Sequence, residues 1–194
     1  MEGANLRSTG YRRLYRACAI LFACALSAAF LGSPAAAQSQ RSMDVRTAIF
    51  GQLSLTNVED LDFGNVVENG AGTIVMSPDP NATCTASANI NHSGACQPAI
   101  FGGSGETGRI VRIKKPPGAK ITLTGPGADI QITNVTIDGS PELLLVNATP
   151  GYSRYTIASP SGVFSFRVAG TLNIAAGQTP GVYTGTFEIS LQYN

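Results

Sequence analysis

VFSFRVAGTLNIAAGQTPGVYTGTFEISLQYN, residues 163–194, is the stretch whose reading decides the fold. In its first half Phe164, Phe166, Val168, Leu172 and Ile174 share one parity, interrupted by Gly170. In its second half Tyr183, Phe187, Ile189, Leu191 and Tyr193 share one parity, with Thr184, Thr186, Glu188, Ser190 and Gln192 between them. Side chains alternate faces along a strand, so each half has one apolar face and one wet face. The intervening Ala175-Ala-Gly-Gln-Thr-Pro-Gly181 is turn chemistry, which predicts that the two strands pair antiparallel. The second of them reads as a C-terminal core strand.

The other end of the chain reads differently. Arg7, Arg12, Arg13 and Arg16 form a basic opening, Ala17 to Leu31 is almost wholly apolar, and Ser33-Pro-Ala-Ala-Ala-Gln38 is a small-residue cleavage pattern. That order is the layout of a secretory signal peptide over residues 1–37. The apolar run is short for a membrane span, which needs ~20 residues, so the mature chain is expected to have none. Cleavage would leave 157 of 194 residues, enough for one domain, residues 38–194. Four arginines and Glu2 leave with the signal, taking 13 basic and 12 acidic residues to 9 and 11, a net −2. Such a balance argues against a nucleic-acid partner, which favours a basic face. Export to the periplasm, cell surface or medium is the expectation.

Cys84 and Cys96 remain after cleavage, and an even pair in an exported chain reads as a disulfide. The rival is a pair of metal ligands, but only His92 is nearby to join them. No metal site or cofactor is therefore expected. His92 is the one histidine, set among Asn, Ser and Gly as in a solvated loop, with no nucleophile and orienting partner to complete a catalytic group. Asp60 and Asp62 are spaced to share a strand face but read as surface acids beside a turn. Gly102-Gly-Ser-Gly105 lacks the Lys-Ser/Thr of a phosphate loop and reads as a flexible loop. Lys114, Lys115 and Lys120 read as the charged tip of a hairpin, 109–114 with 120–124. Nothing among these residues favours an enzyme, and no catalytic residue is assigned.

Further strands are predicted around Thr73–Met76, Leu143–Val146 and Tyr155–Ile157. The parity of Ile130 and Ile132 switches at Val135 and Ile137, which predicts a bulge near Thr133-Asn134. Residues 79–105, small, polar and bracketed by cysteines, read as a stapled loop insertion. Many short strands between turn signals, with no helical period, predict an all-β antiparallel sandwich.

Leu61-Asp-Phe-Gly64, Phe166-Arg-Val-Ala-Gly-Thr-Leu172 and Pro180-Gly-Val-Tyr-Thr-Gly-Thr-Phe187, followed by an alternating strand, resemble a bacterial family of secreted domains. This is the domain of unknown function 4402 family, similar to spore-coat protein U and to chaperone–usher fimbrial subunits. The resemblance covers most of residues 45–194 and is poorest over 79–105. It implies an immunoglobulin-like sandwich and a place in surface fibres or coats, with a periplasmic chaperone as a further partner. It also implies assembly by strand addition, copy to copy or with related subunits. Met43, Val45 and Ile49 would then be the donor residues, and Tyr183, Phe187, Ile189, Leu191 and Tyr193 would border the acceptor groove. The parity of Met43 runs on through Leu53 and Leu55, so the same segment also reads as the domain's own first strand. The function expected first is a structural fibre or coat subunit. The alternative is a monomeric periplasmic or secreted binding module or adhesin.

Overall fold

Strand β12, Val163–Ile174, is the hub of the molecule in a computed structural model that describes Thr47, Ile49 and residues 51–194. The signal segment, Met43 and Val45 lie outside the described residues. Along β12 the even positions from Phe164 to Ile174 are buried, as the alternation demands, and Phe166 and Val168 have no exposed surface. Val168 faces Ala99 on one side and Ile137 on the other. Thus β6 (Ala99–Ser104) lies along the first half of β12, β3 (Gly72–Met76) continues on that same side, and β9 (Ile130–Asp138) lines the other. β1 (Ser54–Glu59) pairs with β6, β4 (Cys84–Ala86) with β3, and β8 (Ile121–Leu123) with β9, giving a seven-stranded sheet.

The second sheet has the order β10-β11-β7-β13, from Leu143–Ala148, Tyr152–Ile157, Ile110–Lys114 and Ser190–Tyr193. β2 (Asn65–Glu68) and β5 (Ile90–Ser93) form a separate ribbon. All pairings are antiparallel. Inner faces of both sheets supply one apolar core, including Ile74, Val111, Ile113, Ile132, Tyr155, Ile157 and Phe166. The fold is an all-β antiparallel sandwich, as the strand pattern predicts.

The bulge falls where the parity switch puts it. Ala169 faces Thr136 and Thr171 faces Thr133, so Asn134 and Val135 oppose Gly170 alone. Asn134 has φ 52°, and a Cβ at Gly170 would lie 2.9 Å from both Ile132 Cγ2 and Thr133 O. The disulfide joins Cys84 to Cys96 with a Cα–Cα distance of 5.8 Å.

Four expectations require correction. The halves of the 163–194 stretch do not pair with each other: β12 lies in the seven-stranded sheet and β13 pairs with β7 in the other. The segment 175–181 is therefore an arch between layers. The second expected hairpin fails the same way, since β7 and β8 belong to different sheets. Gly102, Gly103 and Ser104 are not a loop but the end of β6, between β1 and β12. The stapled segment expected to reach residue 105 gives way at Ala99 to this core strand.

Candidate functional site: the open terminal edge

Residues 183–193 keep the alternation that marked them in the sequence. Tyr183, Phe187, Ile189, Leu191 and Tyr193 are half-buried and pack against the core, while Thr184, Thr186, Glu188, Ser190 and Gln192 are exposed. Only 190–193 form a regular strand, however. At the start, the Tyr183 hydroxyl donates to Thr179 O (2.7 Å) and accepts from Gln178 Nε2 (2.8 Å). The Tyr183 ring lies over Gly125, where a Cβ would approach it to 2.5 Å. Thr184 exchanges two backbone hydrogen bonds with Thr124, of 2.8 and 2.9 Å. At the far end β13 pairs with β7, and the Tyr193 hydroxyl accepts from Glu106 N (2.8 Å) and donates to Gly51 O (3.1 Å).

Between these anchors the ladder is broken. Thr184 faces Thr124 and Ser190 faces Lys114, so the five residues 185–189 span the nine residues 115–123. The surplus is taken up by Pro116-Pro117-Gly118-Ala119, which leaves the strand course as a short 3-10 turn. Two prolines remove two backbone donors from the partner side. As a result, residues 185–189 have no backbone hydrogen bond among the described residues. An open hollow of about 390 Å³ lies between Pro116, Pro117, Lys120, Ile121 and Thr122 on one side and Thr186, Phe187 and Glu188 on the other. Phe187 meets Phe101 edge-on at 6.1 Å, and Phe101 stacks on Phe166 at 5.3 Å, so this gap leads directly to the core.

Among the described residues the outer edge of β13 has no strand partner, and neither does that of β1. β1 is nevertheless the domain's own strand, paired with β6, and Leu53 just before it packs against the core. Of the three candidate donor residues only Ile49 is described, and it is 92% exposed. β10, with β11 as its one strand partner among the described residues, is a further edge and carries Leu144, Leu145 and Val146 to solvent. The apolar run at 143–146 is a strand, as predicted, and of its four residues Leu143 alone is buried.

The remaining polar candidates have structural roles. His92 lies in β5, and its Nε2 donates to Phe63 O at 2.8 Å rather than standing in a solvated loop. Asp62 Oδ1 accepts from Gly64 N and Asp60 Oδ1 from Asn57 Nδ2, each at 2.8 Å, so the acids brace separate turns. Lys115, expected at a solvated hairpin tip, is only 9% exposed. Among the described residues there is no cluster of three or more His, Cys, Asp or Glu side chains.

An antiparallel all-β sandwich with an incompletely paired terminal strand defines the class of protein. Residues 53–193, well over half of the chain, match the family described as Domain of unknown function (DUF4402), and the chain belongs to that family. No curated protein and no solved structure matches the chain.

Proposed function

We propose that this chain is a non-enzymatic, exported structural subunit of a surface fibre or coat, assembling by β-strand addition. One observation carries the reading: residues 185–189 lack backbone partners among the described residues, while Phe187 and Ile189 on the same segment are only half-buried. A strand laid along residues 183–193 would satisfy those groups and cover that apolar stripe. The N-terminal extension of a neighbouring copy, with Met43, Val45 and Ile49 on one parity, is the proposed donor. The likeness to spore-coat protein U and fimbrial subunits belongs to this proposal, as does delivery by a periplasmic chaperone. Export is compatible with the disulfide and with the absence, among the described residues, of a helix long and apolar enough to cross a membrane. A second reading, a monomeric binding module, draws support from β1, which the domain supplies to itself.

Size-exclusion chromatography with light scattering on the exported protein tests the choice. Burying each Val- or Ile-sized donor chain is worth ~1.5–3 kcal/mol, so Val45→Asp should abolish oligomers while the monomer stays folded. Deleting residues 38–47 should leave a folded domain that binds a synthetic peptide of that sequence. A wild-type protein that remains monomeric at high concentration, and ignores the peptide, selects the binding module.

A further inference from the structure

The edge strand β10 carries apolar surface on both of its faces. Leu144 lies opposite Thr156, on the outer side of the sheet, whereas Leu145 lies opposite the buried Tyr155, on the core side. Leu144, Leu145 and Val146 are nevertheless 56%, 59% and 53% exposed. A partner resting on either face would leave the other bare, whereas a strand added in the plane of the sheet covers both. Between Leu143 and Ala148 there is no charged residue and no proline, which are the usual protections of an exposed edge. By contrast β1 ends on Glu59, and β4 and β8 have three residues each.

The ladder shows which backbone groups face outward. Ala158 N donates to Glu142 O (2.8 Å), so by antiparallel alternation Glu142 and Leu144 bond to β11 while the groups of Leu143 and Leu145 point away from it. Leu143 N is taken by Gly139 O (2.7 Å). Among the described residues that leaves Leu143 O and both groups of Leu145 open to a further strand.

Charge selects the occupant. The Glu142 carboxylate has no ion-pair partner among the described residues. Arg154 of β11 stands beside Arg112 of β7, like charge next to like. Tyr152 lies against both guanidinium groups, at 5.1 and 5.5 Å, but neither has an acidic partner among the described residues. Two copies of β10 laid antiparallel about a two-fold axis at Leu144 satisfy these groups together. Leu143 O then accepts from the partner's Leu145, whose side chain packs beside Leu143 on the core side. On the outer side Glu142 lies opposite the partner's Val146, at the bulge that brings Asn147 alongside, and the partner's Arg154 is one strand further. By symmetry each hydrogen bond and each ion pair occurs twice.

We infer that β10 is the interface of a two-fold pairing between copies of this chain, joining their four-stranded sheets edge to edge. An edge of six residues falls short of the ~800 Å² per partner of a stable complex, so the pairing is weak, with a Kd on the order of 0.1–1 mM. It is separate from the terminal edge and does not rest on the assembly reading.

The test is a dilution series of isotope-labelled Val45→Asp protein, exported as the full chain and followed by amide NMR. Blocking the proposed donor keeps the two contacts apart: assemblies lost in this variant belong to strand addition, and concentration-dependent shifts that persist in it belong to β10. Between about 2 mM and about 0.05 mM protein, such shifts should be confined to residues 142–148 and 153–157. Leu144 meets its own copy, so Leu144→Lys and Leu144→Glu, both at an exposed position, should each weaken the pairing at least about tenfold, and an equimolar mixture of the two should restore it. Glu142→Arg and Arg154→Glu should each weaken it, and the double variant should recover. No concentration dependence at millimolar protein, shifts centred on another surface, undiminished pairing in Leu144→Lys, or a mixture no better than its parts would each overturn the assignment. Shifts at 143–147 on adding a synthetic peptide of residues 38–49 would overturn it as well, by giving this edge to the donor strand.

Discussion

β12 and the terminal segment 183–193 look alike in sequence, yet they sit at opposite extremes of the fold. β12 has partners along both edges and its apolar face is fully enclosed. The terminal segment shows the same alternation, but its apolar positions are only half-buried and five of its residues are unladdered. The difference is one of neighbours rather than residues. A strand is completed by what lies beside it, and here a Pro-Pro-Gly-Ala excursion has withdrawn the neighbour from residues 185–189.

The sharpest way to break this comparison is to truncate an aromatic in each region. Phe166→Ala should cost ~3–5 kcal/mol, as a fully buried ring leaves a cavity. Phe187→Ala should cost roughly 1 kcal/mol in the monomer, since its ring is half-buried, while weakening any strand-added oligomer. Urea unfolding of both variants measures the contrast, and equal losses would show the terminal segment to be core in its own right.

Two glycines sharpen it next. A Cβ at Gly170 would press on Ile132 and on the bulge carbonyl of Thr133, so Gly170→Ala should cost ~1–3 kcal/mol. A Cβ at Gly185 would overlap Thr122 O, so Gly185→Ala should move the terminal segment off β8 at a smaller cost. Thermal unfolding ranks the pair. Hydrogen exchange then asks for no substitution at all: amides of 186–189 should exchange at least about a hundredfold faster than those of 164–172. Protection of 186–189 on adding the 38–49 peptide would locate the added strand.

The smallest expected effect is a dependence on pH that belongs to the enclosed region. Tyr155 donates its hydroxyl proton to Ile137 O (2.7 Å), tying β11 to β9 across the sandwich. Its pKa is pushed from 10.0 up to about 12 by burial, with the charge of Asp138 adding and a hydrogen bond with Ser153 opposing. A raised folded-state pKa means that this stabilisation is complete below the unfolded value and is lost as pH climbs from 10.0 to about 12. Stability measured across that window should fall in the wild type, and the Tyr155→Phe variant should lack this component of the fall.

Faces were legible in the sequence, whereas neighbours were not. Period-two alternation reports which side of a strand is dry, and it marks the buried side of β12 and the half-buried side of 183–193 correctly. The parity switch at Val135 located the bulge for the same reason. Pairing is another matter, because Gly- and Pro-rich segments such as 115–118 and 175–181 close a hairpin or an arch between sheets equally well. Gly102 and Gly103 carry no side-chain pattern, so β6 was hidden. The structure supplies the reason for one of them, since a Cβ at Gly103 would lie 2.7 Å from the Phe164 ring. Lys115 was misread because a lysine beside two prolines looks like a solvated turn, and only the three-way meeting of distant segments buries it.

The hydroxyl of Tyr193 reaches Gly51 O, so the path of the domain closes almost on itself. Topologically the fold is a loop with a small gap, and its entrance and exit share one pole. A short linker from Asn194 to Gly51 would make the backbone circular without redirecting β1 or β13. New ends opened at Gly118, on an exposed turn, would leave both sheets continuous. Tension applied between Gly51 and Asn194 would meet this tyrosine bond before any ladder. It would then peel β1 and β13 away from their sheets one pair at a time, while the interior built on β12 stays unloaded.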